Sequence, residues 1–241
     1  MKKSIFIIIV FLVLGNLFSQ NNKTLLSVSV GEGIPVGNFA SKNGSTFGAG
    51  YAKAGLTYKA SLSYLLTDKI GVTCMFQNVQ NPINTGALSN QIDIKYPNQS
   101  TAWSVSSKPW NTNLLMVGVM YYVPLIKNKK GDPFLFLDLK AMLGSAFVSL
   151  PHQNISTNQN NVLFTGTQNK DLDVDPAVAL GAKLRCKIYK GLFGHLSAEY
   201  FTTTTQFQNV TEYFSNGTTN VFTRNQKISV VSLTAGIDFL F

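Results

Sequence analysis

The sequence predicts an all-β protein, and more specifically an eight-stranded antiparallel up-and-down transmembrane β-barrel. Three observations support this: side chains that alternate between apolar and polar along the candidate strands, connections that are alternately short and long, and charges of both signs on the polar strand faces. Successive side chains of a strand point to opposite faces, so an alternating strand has one apolar and one polar face. A transmembrane barrel turns the apolar face to lipid and the polar face to its lumen, whereas a soluble sandwich buries the apolar face.

The first 19 residues have the organisation of a secretory signal peptide. Two lysines precede an uninterrupted apolar run at residues 5–14, and Ser19 is a small residue suited to cleavage. The run is too short to span a membrane comfortably as a helix, although an uncleaved membrane anchor is the alternative. We therefore expect residues 1–19 to be removed and residues 20–241 to form one outer-membrane β-barrel domain.

Composition narrows the class of protein further. No later segment is apolar enough to span a bilayer as a helix, so a membrane-embedded chain has to be a barrel. Charged residues make up 13% of the chain, against about 25% in typical soluble domains. The formal net charge is +9, but the basic residues do not cluster with aromatic ones on a helix and the chain is exported. Nucleic-acid binding is therefore not expected. The positive charge is expected instead to attract the protein to anionic lipid headgroups.

The first five strands are predicted at residues 24–34, 50–66, 69–80, 110–125 and 134–150. In the first two, leucine, valine and tyrosine alternate with serine, threonine and lysine. Both faces of the fourth are apolar, so the sequence leaves its orientation open. In the fifth, leucine and alanine alternate with bulky or charged residues.

The last three strands are predicted at residues 171–188, 192–206 and 228–241. The first of these has the clearest alternation, with aspartate, lysine and arginine on the face opposite its leucine, valine and alanine side chains. Cys74 and Cys186 fall on strands that are not expected to be neighbours, so no disulfide is predicted.

The connections between these strands alternate in length. The short ones lie at residues 67–68, 127–132 and 189–191, and the long ones at residues 37–47, 81–109, 151–170 and 207–226. An outer-membrane barrel has short periplasmic turns, longer extracellular loops and an even number of strands. A soluble sandwich has no reason to sort its connections in this way.

The polar strand faces carry charges of both signs, which predicts a polar network inside the barrel. Its expected members are Lys59, Asp138, Lys140, Lys183, Arg185, His195, Glu199 and Asp238. The interior of an eight-stranded barrel is just wide enough for side chains to fill it. Opposite charges that pair there lower the cost of burial, so we expect a filled lumen and not an open pore.

Glycine, aromatic and turn residues recur in several stretches of the chain, namely Gly-Ile-Pro-Val-Gly-Asn-Phe at residues 33–39, residues 48–58, residues 64–71, Ala-Leu-Gly-Ala-Lys-Leu at residues 179–184, and residues 191–200. These patterns resemble the small outer-membrane β-barrel domain family that includes PorT-like proteins. The resemblance implies a porin-like barrel of a Gram-negative envelope that the barrel-assembly machinery inserts, with Phe239 and Phe241 in the assembly signal. It implies no catalytic site and no cofactor, and some members of the family belong to protein-secretion assemblies.

Two motifs could carry chemistry. His195-Leu-Ser197 with Glu199 resembles the His-x-Ser element of outer-membrane lipid A deacylases, in which a histidine activates a serine. Ala198, however, stands where that motif has asparagine, and the short turn at residues 189–191 puts the motif near the periplasmic side. The alternative is that His195 and Glu199 belong to the lumen network.

The second motif is a row of three aspartates, Asp171, Asp173 and Asp175, at the extracellular rim. Calcium favours such oxygen clusters. A calcium-binding helix-loop-helix would need glycine and glutamate where this chain has Pro176 and Ala182. No metal site is predicted, and the row is expected to be solvated or paired with lysines.

Four aromatic residues are candidates for the interfacial girdle that aromatic rings form at headgroup depth. They are Tyr96, Trp103, Trp110 and Tyr121. For Trp103, packing within the longest loop, or contact with a partner or a glycan, is the alternative.

The function that these observations predict is that of a non-enzymatic integral outer-membrane protein. Its long loops at residues 81–109 and 151–170 would bind a partner protein, or the barrel would be an accessory subunit of an envelope or secretion complex. The alternatives are an outer-membrane lipid hydrolase that uses Ser197, His195 and Glu199, and a narrow channel for small solutes.

Overall fold

The structure, a computed structural model, describes residues 23–95, 103–127, 131, 133–159, 162–168 and 171–241. The predicted signal peptide at residues 1–19 and the girdle candidate Tyr96 lie outside the described residues. Within the described residues, no helix is both long enough and apolar enough to cross a membrane.

The described residues form eleven strands and two short helices. The strands are β1 (Thr24–Pro35), β2 (Gly55–Leu65), β3 (Ile70–Asn81), β4 (Ser104–Ser107), β5 (Trp110–Lys127), β6 (Pro133–Leu150), β7 (Gln153–Gln159), β8 (Val162–Gln168), β9 (Asp171–Tyr189), β10 (Leu192–Phe214) and β11 (Thr219–Leu240). A 3-10 helix spans Gly37–Ala40 and an α-helix, α1, spans Thr85–Lys95.

Eight of the strands close into an antiparallel ring in the order β1, β2, β3, β5, β6, β9, β10, β11. The ring is closed by β1 and β11, which pair without interruption between Leu25 opposite Leu240 and Pro35 opposite Val230. The prediction of an eight-stranded up-and-down barrel is confirmed. Each predicted strand lies on one of these eight.

Short turns and both ends of the ring's chain lie at one end of the barrel. The turn between β9 and β10 shows why it can be tight. Gly191 adopts φ +76°, a conformation that glycine tolerates at little cost, and its carbonyl accepts a hydrogen bond of 2.7 Å from the Leu240 amide. By the rule that periplasmic turns are short and extracellular loops long, this is the periplasmic end.

The apolar face of the ring wall is on the outside and the polar face on the inside, which is the reverse of a soluble protein. Leu180, on the outer face of β9, is 62% exposed, whereas Lys183 on the inner face is 1% exposed. Large exposed hydrophobic side chains continue around the outer wall, and exposed aromatic residues lie on it toward the periplasmic end. These aromatic residues are Tyr64, Tyr121, Phe134, Tyr189 and Phe239. A closed ring satisfies its backbone polar groups internally, which is what lipid requires, so the molecule is a transmembrane β-barrel.

The prediction that residues 207–226 form a loop is wrong. β10 and β11 continue beyond the membrane wall as a hairpin that turns only at residues 215–218. A bulge between Phe207 and Val210, with Asn209 at φ 57°, redirects β10. Threonine, valine and aromatic residues in this stretch favour strands, and their asparagine and glycine neighbours obscured the pattern.

Above the barrel, this hairpin nucleates an extracellular sheet, which we define as the outer parts of β11 and β10 followed by β8, β7 and β4. β8 and β7 come from the long loop at residues 151–170, and β4 with α1 from the loop at residues 81–109. Asn84 caps α1, since its side-chain oxygen accepts a hydrogen bond of 3.1 Å from the Ala87 amide. The described parts of the two longest loops are therefore folded.

Apolar side chains fill the extracellular half of the lumen, which the sequence did not predict. Loop residues Phe39, Ala49, Tyr51 and Ala52 enter the barrel from above and pack on apolar residues of the inner wall. The wall residues include Val79, Trp110, Leu114, Met116, Met142, Ala146, Val148, Ala177, Ala179, Phe201, Phe207, Ile228 and Val230. This apolar plug also explains why both faces of β5 are apolar.

The girdle prediction for Trp110 is wrong, because this residue faces the lumen and is completely buried in the plug. Its indole Nε1 donates a hydrogen bond of 3.0 Å to the Gly50 carbonyl, and its ring meets that of Phe39 edge-on at 5.6 Å. Trp103 is buried within the long loop and makes backbone hydrogen bonds to Ser89 and Asp93, in line with loop packing. Tyr121 is exposed on the outer wall, as expected for a girdle residue.

Candidate functional site: the ionic lumen and its closures

The periplasmic half of the lumen contains two groups of charged side chains, and the first is centred on two aspartates. Arg185 Nε lies 2.9 Å from Asp138 Oδ2, and an Arg185 terminal nitrogen donates to Asp138 Oδ1 at 3.1 Å. Lys183 Nζ lies 3.1 Å from Asp238 Oδ1 and donates to the Ser27 hydroxyl at 2.9 Å. His195 Nδ1 lies 2.9 Å from the same Asp238 oxygen.

The second group is centred on Glu199. Lys59 Nζ lies 3.0 Å from one Glu199 oxygen, and Lys140 Nζ lies 4.0 Å from the other. Lys59 also donates to the Ser197 hydroxyl at 2.9 Å, and this hydroxyl shares a 2.6 Å hydrogen bond with Thr234. The strand register places the Ser197 and Thr234 side chains next to each other, since the two residues are opposite on β10 and β11.

The structure thus places all eight predicted lumen residues inside the barrel, and all eight are buried. Four of them are cationic and three are carboxylates, with His195 as the eighth. Isolated charges are costly to bury, but opposite charges at these distances repay much of that cost. The arrangement is therefore suited to holding the wall strands in register, and each of the three carboxylates lies beside at least one cation.

Aromatic rings close the periplasmic end of the lumen, and sequence reasoning missed them. The Arg185 guanidinium carbon lies 5.1 Å from the centre of the Tyr122 ring, 5.3 Å from that of Phe136 and 5.1 Å from that of Phe193. At such distances a cation is attracted to the ring face. The available signal was an aromatic residue at a lumen position near each short turn.

The apolar plug closes the extracellular end. Tyr51 in the plug has φ 51°, a conformation that is strained for a bulky residue. Its backbone is held by hydrogen bonds with Ser41 and Asn84. Burial raises the pKa of the Tyr51 hydroxyl, with the nearby Arg224 guanidinium opposing the shift. Arg224 in turn lies 5.5 Å from the centre of the Trp110 ring, so a cation contacts the apolar plug.

The residues of the hydrolase alternative do not form a triad. Ser197 bonds to Lys59 and Thr234, His195 lies against Asp238, and Glu199 lies against Lys59. Residues two apart on one strand face are separated by roughly 7 Å, which is beyond hydrogen-bond reach. Solvent reaches almost none of these side chains, so Ser197, His195 and Glu199 offer a substrate neither the expected triad nor an entrance.

One aspartate of the rim row, Asp173, contacts the neighbouring strand β10. Asp173 Oδ2 accepts hydrogen bonds of 3.2 Å from the Thr205 hydroxyl and the Gln206 amide of β10. The side chain of Asp171 lies outside the described part of the chain. Across the residues that the structure covers, no group of three histidine, cysteine, aspartate or glutamate side chains is placed to hold a metal ion.

Solved structures with a similar fold are outer-membrane proteins. They include a major outer membrane protein of Thermus thermophilus (13% identity, 90% of this chain and 99% of that chain, TM-score 0.48) and Neisserial surface protein A (8% identity, 92% and 98%, TM-score 0.45). The outer membrane protease OmpT of Escherichia coli also matches (10% identity, 91% and 97%, TM-score 0.39). At these identities and TM-scores the likeness adds nothing about function.

No protein-family model matches the chain, and the search of curated proteins found no match. The location of the protein follows from its own architecture. The closed antiparallel ring, the apolar outer wall and the polar inner wall are those of an outer-membrane β-barrel, and they place the protein in the outer membrane.

Proposed function

We propose that the protein is a non-enzymatic outer-membrane barrel that binds a partner protein through its extracellular sheet. The observation that carries the proposal is the free edge of β11. Over residues 230–240 this edge pairs with β1, but over residues 219–224 no other strand of the described chain pairs with it.

An unpaired strand edge presents backbone donors and acceptors that a partner strand can use. This edge is also apolar in part, since Val221 is 60% exposed and Phe222 is exposed beside it. It contains neither the proline nor the lysine that proteins commonly place on an edge to block pairing. We infer that an extended segment of a partner adds to the sheet here.

A photo-crosslinking amino acid at position 221 tests this proposal. In cells, position 221 is expected to give one discrete adduct of defined mass, and the same amino acid at Lys190, exposed in a periplasmic turn, is expected not to give it. A proline at position 223 should abolish the adduct, because proline removes a backbone N–H from this edge, the side to which the odd-numbered Ser229 and Phe241 also turn their backbone groups, and restricts the preceding residue. If the adduct persists in that variant or is absent at position 221, edge pairing is wrong.

We further propose the finer assignment to PorT-like barrels, with a role as an accessory subunit of an envelope or secretion complex. The quoted glycine and aromatic patterns support this assignment. Purification of the tagged full chain from detergent-solubilised outer membranes tests it, with defined stoichiometric partners as the expected result. Recovery of the barrel by itself under several mild detergents would argue against an accessory role.

The two alternatives have separate tests. A lipid hydrolase would lose activity on Ser197→Ala, so an unchanged lipid A mass spectrum in that variant argues against it. A narrow channel would give discrete current steps in planar bilayers. We expect none, because the apolar plug and the aromatic closure block the two ends of the lumen.

A further inference from the structure

We propose that a pocket at the extracellular rim binds the phosphate-bearing headgroup of an outer-leaflet lipid. The pocket, here called the rim pocket, has a volume of about 210 Å³. Its lining consists of Gln80, Lys108, Pro109, Asn111, Ser149, Leu150, Pro151 and His152. It lies where β3, β5 and β6 leave the barrel wall beneath the β4–β7 pair of the extracellular sheet. This inference is independent of the partner-binding function.

The register of β5 and β6 places the rim pocket at headgroup height. On the outer wall, Val117 is opposite Leu143, and both are exposed apolar residues. Farther toward the extracellular end, Asn113 is opposite Phe147, and next Asn111 is opposite Ser149. The wall thus changes from apolar to polar immediately below the pocket, as the bilayer does between its acyl chains and headgroups.

The rim pocket is held in shape before any ligand binds. The Lys108 amide donates a hydrogen bond of 3.0 Å to the His152 carbonyl, which fixes the two connecting segments side by side. The Ser107 hydroxyl also donates to the His152 carbonyl. Pro109 and Pro151 restrict the backbone at the entry to each segment. A preorganised site loses little conformational entropy on binding.

An amide ladder fixes the lower wall of the rim pocket. Asn78 Nδ2 donates to the side-chain oxygens of both Asn111 and Asn113 at 2.7 Å. This arrangement uses the Asn111 oxygen and leaves its NH₂ group to donate to a ligand. The Gln80 side-chain nitrogen donates to the Tyr58 hydroxyl at 2.9 Å, which orients Gln80 along the same ladder.

The chemistry of the lining selects an anion with several acceptor oxygens. Lys108 is exposed and has no ion-pair partner among the described residues, and no acidic side chain lines the pocket. The Lys108 ammonium, the Asn111 amide and the Ser149 hydroxyl are all donors. A phosphate group accepts from each of them and neutralises the lysine, and charge-assisted hydrogen bonds of this type are strong. A zwitterionic or neutral headgroup would leave the cation less well compensated.

The test uses the delipidated full barrel and lipid A as the probe, with native mass spectrometry to count bound lipid. Lys108→Glu is expected to weaken lipid A retention about tenfold. Lys42→Glu is the matched control, because it makes the same charge change on an exposed lysine of another extracellular loop, and it should bind like the unaltered barrel. Heat modifiability on gels confirms that both variants are folded.

Four outcomes decide the proposal. Loss of binding in Lys108→Glu but not in Lys42→Glu supports it, as does weaker binding of enzymatically dephosphorylated lipid A. Equal retention by both variants overturns it. Displacement of lipid A by inorganic phosphate at equal concentration would also overturn it, since the site would then take the free anion and not a lipid headgroup.

Discussion

Arg185 and Asp138 lie diagonally across the β9–β6 pair, where Asp138 is directly opposite Lys183, and Arg185 contacts both oxygens of the carboxylate. One contact joins Arg185 Nε to Oδ2 at 2.9 Å, and the other joins a terminal guanidinium nitrogen to Oδ1 at 3.1 Å. Arginine can contact two oxygens at once because its guanidinium presents several donors, whereas lysine presents a single ammonium. The Arg185 guanidinium carbon lies 5.1–5.3 Å from the centres of the Tyr122, Phe136 and Phe193 rings, so the ion pair and the aromatic closure meet at Arg185.

We expect Asp138→Leu to destabilise the barrel by about 3–5 kcal/mol, because it leaves buried cations without their carboxylate. Combining it with Arg185→Met should recover much of the loss, since the pair is then replaced by apolar groups. Urea unfolding in detergent micelles, followed on gels, measures both. The Arg185→Met variant is measured by itself as well. If the double variant is less stable than Asp138→Leu by the full cost of Arg185→Met, the two side chains are not coupled.

Sequence alone was sufficient for the ring wall and for the charged residues inside it. Both follow from the alternation of side chains between the two faces of each strand, which can be read from one strand at a time. Residues such as Lys59 and Asp238 could therefore be assigned to the lumen without knowing their partners. The partners themselves could not be predicted. Lys59 meets Ser197 and Glu199 across the lumen, and that contact depends on how far the strands are staggered around the whole ring.

The plug and the extracellular sheet escaped prediction for a different reason. A tryptophan near the end of a predicted strand, such as Trp110, is typical of an aromatic girdle. Trp110 faces the lumen instead, because the loop bearing Phe39 enters the barrel and makes the lumen apolar at that height. Likewise, β8 pairs with β10 at Gln168 opposite Glu212, a contact between two loops that are distant in sequence. Local patterns do not encode such loop-to-loop packing.

Two phenylalanines of the same loop allow the plug to be tested. Phe39 is 1% exposed and Phe47 is 79% exposed. We expect Phe39→Ala to destabilise the barrel by about 3–5 kcal/mol through the cavity it leaves, and Phe47→Ala to change stability by less than about 0.5 kcal/mol. Urea unfolding monitored by tryptophan fluorescence compares them, with Trp110 reporting the plug directly. Similar losses for the two variants would mean that the loop does not enter the lumen.

Membrane insertion itself can be tested with two equally exposed residues. Leu180 on the wall is 62% exposed, and Val221 on the extracellular sheet is 60% exposed. In lipid vesicles, Leu180→Arg should cost about 2–4 kcal/mol, as cations do near the centre of a barrel wall. Val221→Arg should stay within about 0.5 kcal/mol, as surface substitutions in water do. Equal and small costs would show that the wall around Leu180 is not in lipid.

The C-terminal aromatic residues are proposed to be the signal that the barrel-assembly machinery reads, and the structure permits a test that separates this role from stability. The amide and carbonyl of Phe241 each make a 2.9 Å hydrogen bond with Thr24, which closes the ring at its base. Phe241→Ser keeps these backbone bonds and removes only the ring of the side chain. We therefore expect this variant to refold in detergent with a free energy of unfolding within about 1 kcal/mol of the unaltered barrel, yet to accumulate in the periplasm of cells instead of the outer membrane.

Phe222→Ser, on the same strand but beyond the membrane, is the control and should assemble normally. Normal outer-membrane levels of Phe241→Ser and of Phe239→Ser would remove the terminal phenylalanines from the assembly signal.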